Sequence, residues 1–421
     1  MPKNCTITRR GFLAGVAAWT AAPLIIPRSA LAAPDQPGAN DRIQVGFIGV
    51  GRRCQDLFRL SKGMQGVAAA DVNRGRLEKH RANGWKVFTD YRELLADPSI
   101  DAVVVATPDH WHAQPVIDAC RAGKDAYVEK PMTLTIREGR LMTTAARENN
   151  RIVMTGSQQR SMAPNRLACE LIRTGKLGAV KEVHAANYPS PWDCDLPEEP
   201  LPEGLLWDEW CGQTIVRPYH KDLYLPRADG RNDAQGRPLG WISFKPYSGG
   251  EMTGWGSHGL DQIQSALGMD DSGPVEVWAD GTDLVSKVHM RYASGVTVHL
   301  DNEGRPGGGK FVCEEGTLDL DRGRFTITPE KLAKALLKGD EGKPDGKENH
   351  LGHWEDCIRT RKKTVTDVEI GHRSTTVCHL GNIARWVGRP LKWDPAAEKF
   401  VDDDEANTYI ERPQREPYTV G

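Results

Sequence analysis

A lysine followed by proline, at the end of the β-like run Asp125-Ala126-Tyr127-Val128-Glu129-Lys130-Pro131, is the part of this 421-residue chain best placed to do chemistry. An ammonium at the carboxyl end of a strand can hydrogen-bond a substrate hydroxyl, stabilise the developing alkoxide and lower its pKa. The adjoining Glu129 is placed to hold a nicotinamide ribose. Roughly eighty residues earlier stands Gly49-Val50-Gly51-Arg52-Arg53-Cys54, which matches the dinucleotide-binding glycine pattern except at its last position. The first glycine permits a tight turn, and the second lets the backbone, with Arg52 beside it, approach a pyrophosphate at a helix amino terminus. Cys54 is small enough to stand where the third glycine would let helix and strand pack closely. Asp71 lies twenty residues beyond Gly51, where a carboxylate accepts hydrogen bonds from an adenosine ribose and repels a 2′-phosphate, favouring NAD over NADP. Arg74 nearby leaves NADP open, and a strand-end cap is the structural alternative for Asp71.

Thr107-Pro108-Asp109-His110-Trp111-His112 follows a β-branched run, at the carboxyl end of a strand where open α/β sheets bind ligands. Thr107, Pro108 and His112 are candidates for the nicotinamide side of a cofactor; Asp109 and His112 equally suit the cap of a helix. Gln159, just past the last strand of the same alternating region, joins the cofactor-side candidates. The spacing His110-x-His112 lacks a third ligand, as does His350-x-x-His353, so no metal centre is expected. A glycine-dense segment, Gly249 to His258, opens an apparent helix. Were His258 to face Lys130, a neutral imidazole there would accept a proton from a sugar hydroxyl. Tyr219, His220 and Trp255, with Arg217, Trp192, Trp207, Trp210 and Trp241, are substrate-side candidates, because a flat apolar ring matches the C–H face of a pyranose. Each equally suits a loop core.

The elements that must position these groups follow from hydrophobic periodicity. Residues 43–49 read as a strand ending in glycine, 67–71 as a second, 101–107 as a nearly all-apolar buried strand, 125–129 and 151–156 as further strands. Helices are predicted over 52–60, 74–82, 112–122 and from Thr135, whose spacing to Glu138 is that of a capping box. Asp90 and Glu93 repeat that spacing. Strands alternating with helices at this rhythm give right-handed βαβ units and a parallel sheet. After Gln159 the rhythm changes. A helix over 164–174 and a strand over 181–187 precede an irregular, tryptophan-bearing stretch from 188 to 250. Strand-like runs at 275–280, 287–292, 296–300, 309–313 and 316–320 look like antiparallel meanders, and helices over 349–361 and 372–387 close the chain. The fold class is therefore α/β: an amino-terminal doubly wound parallel sheet of the Rossmann type over 42–158, then an α+β domain over 159–421 built on a mainly antiparallel sheet.

Composition sets the outer bounds. The chain is 39% hydrophobic and 27% charged, with a formal net charge of −2, and no basic stripe argues for nucleic acid or an anionic membrane as partner. The amino terminus reads as a twin-arginine (Tat) export signal: Thr8-Arg9-Arg10-Gly11-Phe12-Leu13, an apolar run too short and too rich in Ala to span a bilayer, then Ala30-Leu31-Ala32. Residues 1–32 are the expected signal, 33–41 a linker, and the periplasm or the exterior the expected location. Of nine cysteines, Cys5 falls in the signal and the other eight are scattered, reading as buried thiols, although an oxidising compartment would permit a disulfide.

Together VGFIGVG (45–51), TPDHWH (107–112), VEKP (128–131) and GWGSHGLD (254–261) resemble the Gfo/Idh/MocA oxidoreductases over nearly all of the chain beyond the signal. The resemblance implies NAD(P) bound between a Rossmann domain and a carboxy-terminal domain whose open sheet commonly forms oligomer interfaces, hence a dimer or tetramer. It implies carbohydrate or cyclitol substrates, and Lys130 and His258 as the catalytic pair. One departure is plain: members often carry Asp four residues before that histidine, and here the position is Gly254. Either another group, such as a loop Tyr or Glu, takes its place or the chemistry departs from simple dehydrogenation. Three readings stand at this point. The first is an exported oxidoreductase with tightly bound, internally recycled NAD. The second is a redox glycosidase that oxidises, eliminates and re-reduces, and the third is a non-catalytic sugar-binding protein.

Overall fold

The computed structural model describes residues 38, 41–193, 195–227, 230–337, 339, 343 and 348–421. The expected export signal, 1–32, lies outside the described residues, as does nearly all of the 33–41 linker. Six parallel strands, β1 (Ile43–Ile48), β2 (Met64–Ala70), β3 (Lys86–Phe88), β4 (Ala102–Val105), β5 (Asp125–Val128) and β6 (Val153–Thr155), form a sheet in the order β3-β2-β1-β4-β5-β6. The chain enters at the middle, winds to one edge and returns to the other. The switch point therefore falls between β1 and β4, and a crevice opens at their carboxyl ends.

The period-two alternation of the strands sorts their side chains between two cores. Ile48, Val103, Val105, Ala126 and Val128 pack with Val116, Ile117 and Met142, which come from the helices Ala113–Arg121 and Ile136–Glu148. Val45, Phe47, Val104 and Tyr127 face the other way, against Leu57, Leu351 and Trp354. The last two belong to the helix His350–Thr360, so a late segment of the chain closes the early sheet. Thr135 and Glu138 make the reciprocal capping box expected of them. The helix predicted over 52–60 is a single turn, Cys54–Leu57, because Phe58 leaves it to pack edge-on against Phe47 and Trp85, with ring centroids 4.8 Å and 5.7 Å apart. Tertiary packing outweighs propensity there.

The second sheet has nine strands. They are β7 (Val180–Ala185), β8 (Glu276–Ala279), β9 (Val288–Arg291), β10 (Thr297–Leu300), β11 (Gly309–Cys313), β12 (Thr317–Asp321), β13 (Arg324–Thr328), β14 (Leu391–Asp394) and β15 (Lys399–Phe400), in the order β13-β12-β11-β7-β10-β9-β8-β14-β15. Only β10 and β7 pair in parallel, so the sheet is mainly antiparallel. Three strands, β13 to β15, were not visible as strands in the sequence pattern. One face is apolar and packs on the helices Ala163–Arg173, Gly256–Ala266 and Val368–Val387. The other carries Trp278, His289, His299, His184 and Lys310 in one cross-strand row. The helix Val368–Val387 begins four residues earlier than its apolar period suggests, because Asp367 caps it, and a short helix, Asp404–Asn407, follows it. The irregular stretch condenses into an aromatic cluster that includes Trp192, Trp207, Trp210, Tyr219, Tyr224 and Tyr247. The rings of Trp207 and Trp210 stack at 4.6 Å. All seven described cysteines are buried free thiols, and no helix among the described residues is long and apolar enough to cross a membrane.

A buried ion pair fastens the end of the first sheet to the second layer. The Arg160 guanidinium donates to both carboxylate oxygens of Asp261, at 2.8 and 3.0 Å, and to Asp270 at 2.8 Å; the Ser374 hydroxyl also donates to Asp261. Breaking such a pair leaves an uncompensated charge in the interior. Arg160→Ala should lower the unfolding free energy by about 3–5 kcal/mol, read from urea denaturation of wild type and variant side by side.

Candidate active site

The crevice at the carboxyl ends of β1 and β4 encloses about 830 Å³, ample for a dinucleotide-sized ligand. Its floor needs glycine at two positions for different reasons. Gly49 has φ +79°, and a Cβ there would lie 2.8 Å from the Thr107 backbone nitrogen, so only glycine lets the β1 and β4 ends approach. A Cβ on Gly51 would meet nothing nearer than an Arg76 guanidinium nitrogen at 3.4 Å; the residue keeps space open over the turn. Asp71, at the end of β2, accepts from the Val50 and Asn73 backbone N–H groups at 2.9 and 2.8 Å. Arg76 approaches it at 3.5 Å and lies 5.0 Å over the Tyr224 ring. Arg76, and not Arg74, is thus the cation beside the expected ribose position. The open turn, the carboxylate lining the crevice and its size together fit NAD.

His112 joins the two strand ends that frame the site. Its Nδ1 lies 2.7 Å from the Pro131 carbonyl and its Nε2 3.0 Å from the Thr107 carbonyl, with the ring fully buried. Desolvation holds its pKa below the ordinary imidazole value. The ring touches a carbonyl at each strand end and, when neutral, donates its single N–H to one of them. His110 likewise spends Nε2 on the Trp210 carbonyl at 2.7 Å, and His350 and His353 bond to Ser161 and the Val365 N–H; both His-x-His and His-x-x-His pairs are structural here.

Lys130 also lines the crevice. Its Nζ donates to the Gly254 carbonyl at 3.1 Å. Burial lowers its pKa, while Glu129, Asp109 and Glu251 act against that loss. Glu129 is held by Arg53 through contacts of 2.8 Å. Asp109 is buried and accepts from the Ser248 hydroxyl at 2.6 Å; desolvation pushes its pKa up to about 7. Gly254 ends the helical turn Glu251–Gly254 and His258 lies in the first turn of the next helix, Gly256–Ala266, within electrostatic reach of Lys130. The imidazole has no hydrogen bond to the described residues, its ring lying 5.4 Å from that of Trp255. Desolvation, then the charges of Lys130, Arg322 and Arg53, hold its pKa well below the ordinary value. A neutral histidine next to an ammonium can take a proton from a hydroxyl that the ammonium polarises.

Of the candidates from the sequence, Gly49, Gly51, Arg52, Asp71, Thr107, Pro108, Asp109, His112, Glu129, Lys130, Trp210 and Trp241 line this one crevice, and His258 is not among its lining residues. Others are placed elsewhere. Gln159 donates to the Gly307 carbonyl at 2.6 Å and does not line the crevice. Tyr219 belongs to the aromatic cluster and borders a separate surface hollow. The His220 Nδ1 accepts from the Asp222 N–H at 3.0 Å, a helix cap. Trp255 is 44% exposed. Sequence reasoning left out Arg76, Tyr224, Ile242 and Tyr418 as lining residues. Tyr418 comes from the far end of the chain, packs edge-on against Trp111 at 5.8 Å and donates to Asp208; no local motif could have announced it.

A family profile described as an oxidoreductase family, NAD-binding Rossmann fold, matches residues 43–157. Its partner, the carboxy-terminal alpha/beta domain of that oxidoreductase family, matches 179–420. A 1-carboxy-3-chloro-3,4-dihydroxycyclohexa-1,5-diene dehydrogenase from Comamonas testosteroni is 25% identical over 61% of this chain and 72% of its own length. A levoglucosan dehydrogenase from Pseudarthrobacter phenanthrenivorans is 34% identical over 27% of this chain and 28% of its own. Among solved structures, the WlbA dehydrogenase from Bordetella pertussis in complex with NADH and UDP-GlcNAcA superposes with a TM-score of 0.59 at 18% identity, over 84% of this chain and 99% of that one, a likeness of fold. With an amino-terminal and a carboxy-terminal profile both matched around a crevice that fits NAD, the chain belongs to the Gfo/Idh/MocA oxidoreductase family.

Proposed function

We propose that this protein oxidises or reduces a hydroxyl-bearing carbon of a carbohydrate or cyclitol, using NAD held in the crevice between β1 and β4. The observation that carries the reading is Lys130, which lines the crevice and whose Nζ bonds to the carbonyl of Gly254, four residues before His258. NAD, when bound, supplies the hydride acceptor or donor. Lys130 donates a hydrogen bond to the substrate oxygen and stabilises negative charge on it, and His258 takes the hydroxyl proton. Asp71 holds the adenosine ribose, and the Gly49-Val50-Gly51 backbone receives the pyrophosphate. The ring diol in the name of the Comamonas relative and the anhydrosugar in that of the Pseudarthrobacter one support the substrate class.

The twin-arginine segment supports export. A protein working where free nicotinamide cofactor is scarce would hold NAD tightly and recycle it between two substrates. The unlike faces of the second sheet support a homo-oligomer paired through the polar row. A second reading, a redox glycosidase, is favoured by Asp109 alone: a carboxyl with a pKa near 7 close to Lys130 is suited to protonate a departing glycosidic oxygen.

Denaturing the purified protein and identifying released nucleotide by mass spectrometry tests the reading. Near-stoichiometric NAD or NADH is expected; a protein that is empty and also fails to bind added NAD or NADP would leave a sugar-binding role in its place. Lys130→Ala should lower kcat by about 10²–10⁴ with NAD affinity unchanged, measured by single-turnover kinetics and nucleotide titration. Removing the Asp71 charge frees Arg76 to meet a 2′-phosphate, so Asp71→Gly should move the ratio of NADP to NAD affinity upward by about tenfold, or about 1.4 kcal/mol, read by calorimetry with each nucleotide.

A further inference from the structure

Gly254 has no side chain, yet the space beside it holds a carboxylate. Glu251 is buried and opens the helical turn Glu251–Gly254. Its Oε1 pairs with Arg227. Its Oε2 is buried with no hydrogen-bond partner, and a Cβ added to Gly254 would lie 3.3 Å from that oxygen and 2.9 Å from Ile242 Cδ1. The Gly254 carbonyl meanwhile accepts from Lys130 Nζ and, at 3.0 Å, from the Ser257 hydroxyl. Glu251 and Lys130 therefore flank the same glycine. An acidic side chain at 254 would share its space with the Glu251 carboxylate, so the two are alternatives.

We propose that Glu251 supplies, from one turn earlier, the carboxylate that Gly254 cannot, and that it is a positioning residue acting through Lys130 to keep the ammonium charged and turned toward the substrate hydroxyl. An unpartnered buried carboxylate oxygen is costly, and a nearby cation is the compensation the site offers. The other charged groups around Lys130 come from every neighbouring segment. Glu129 adjoins it on β5, Arg53 follows β1, Asp109 follows β4, and His258 lies on the next helical turn. Glu129 is already neutralised by Arg53, and Asp109, with its raised pKa, is only partly ionised near neutrality. Arg227 likewise pairs with Glu251, but through Oε1 alone, and leaves Oε2 as a buried carboxylate oxygen without a hydrogen-bond partner.

The inference rests on the oxidoreductase reading, but its test needs no substrate. Trace labelling of the full-length protein with acetic anhydride from neutral to alkaline pH, with the Lys130 peptide quantified by mass spectrometry, gives the lysine's own titration. Removing a carboxylate makes the ammonium easier to deprotonate. In Glu251→Gln, Lys130 should therefore label about tenfold faster at a pH below its pKa, the effect of a shift of about one unit. Glu251→Ala/Gly254→Asp should return the titration toward wild type. Glu251→Asp, which keeps the charge, should resemble wild type and serves if the neutral variants fold poorly. An unchanged Lys130 titration in Glu251→Gln, or a double variant no different from Glu251→Ala, overturns the proposal. Nucleotide binding by the same samples reports separately on the functional reading.

Discussion

An ammonium group partly withdrawn from water at the end of a parallel sheet is the constraint the site is built around. The effective cost of taking a charge into a protein interior is several kcal/mol even after relaxation, and Lys130 meets it with groups drawn from distant parts of the chain. Glu129 comes from the same strand, Asp109 from the loop after β4, and Glu251 and the Gly254 carbonyl from a helix more than a hundred residues later. No early segment can satisfy the lysine alone. Completing the site and docking the helix that carries His258 are one event, and the Arg160–Asp261 pair fixes that docking from beneath.

The same ring of charges acts differently on the two basic side chains. Burial favours the neutral form of both lysine and histidine. The carboxylates oppose this for Lys130, whereas His258 receives only further positive charge from Lys130, Arg322 and Arg53. Burial thus lowers both pKa values, but for the lysine neighbouring carboxylates oppose the loss and for the imidazole neighbouring cations add to it.

The cofactor crevice depends on a tighter kind of constraint, steric rather than electrostatic. Gly49 and Thr107 approach so closely that no side chain fits between them, and His112 bridges the Thr107 and Pro131 carbonyls. The walls of the crevice and the reactive lysine are thus parts of one braced unit. The carboxy-terminal tail completes the wall through Tyr418 on Trp111, and Arg415 anchors that tail to the Thr214 and Asp208 carbonyls.

The alternation of apolar strands with helices to residue 156, the Gly49-x-Gly51 turn, Asp71 and the Glu129-Lys130-Pro131 strand end were legible in the sequence because each is a local rule: a period, a turn that needs glycine, or a spacing within one βαβ unit. The capping box at Thr135 was legible for the same reason. Short or late strands such as β3 and β13 to β15 left too few residues for a period to show. Tyr219 and His220 looked like substrate contacts because aromatic and polar residues in a loop suit either a sugar or a loop core, and their packing as a cluster with Trp207 and Trp210 is a decision of the folded chain. The sequence by itself determined the sheet, the cofactor turn and the reactive lysine. Only the tertiary structure placed Arg76 beside Asp71, Tyr418 over Trp111 and Glu251 beside Gly254, because those meetings depend on where separate elements pack and leave no trace in spacing along the chain.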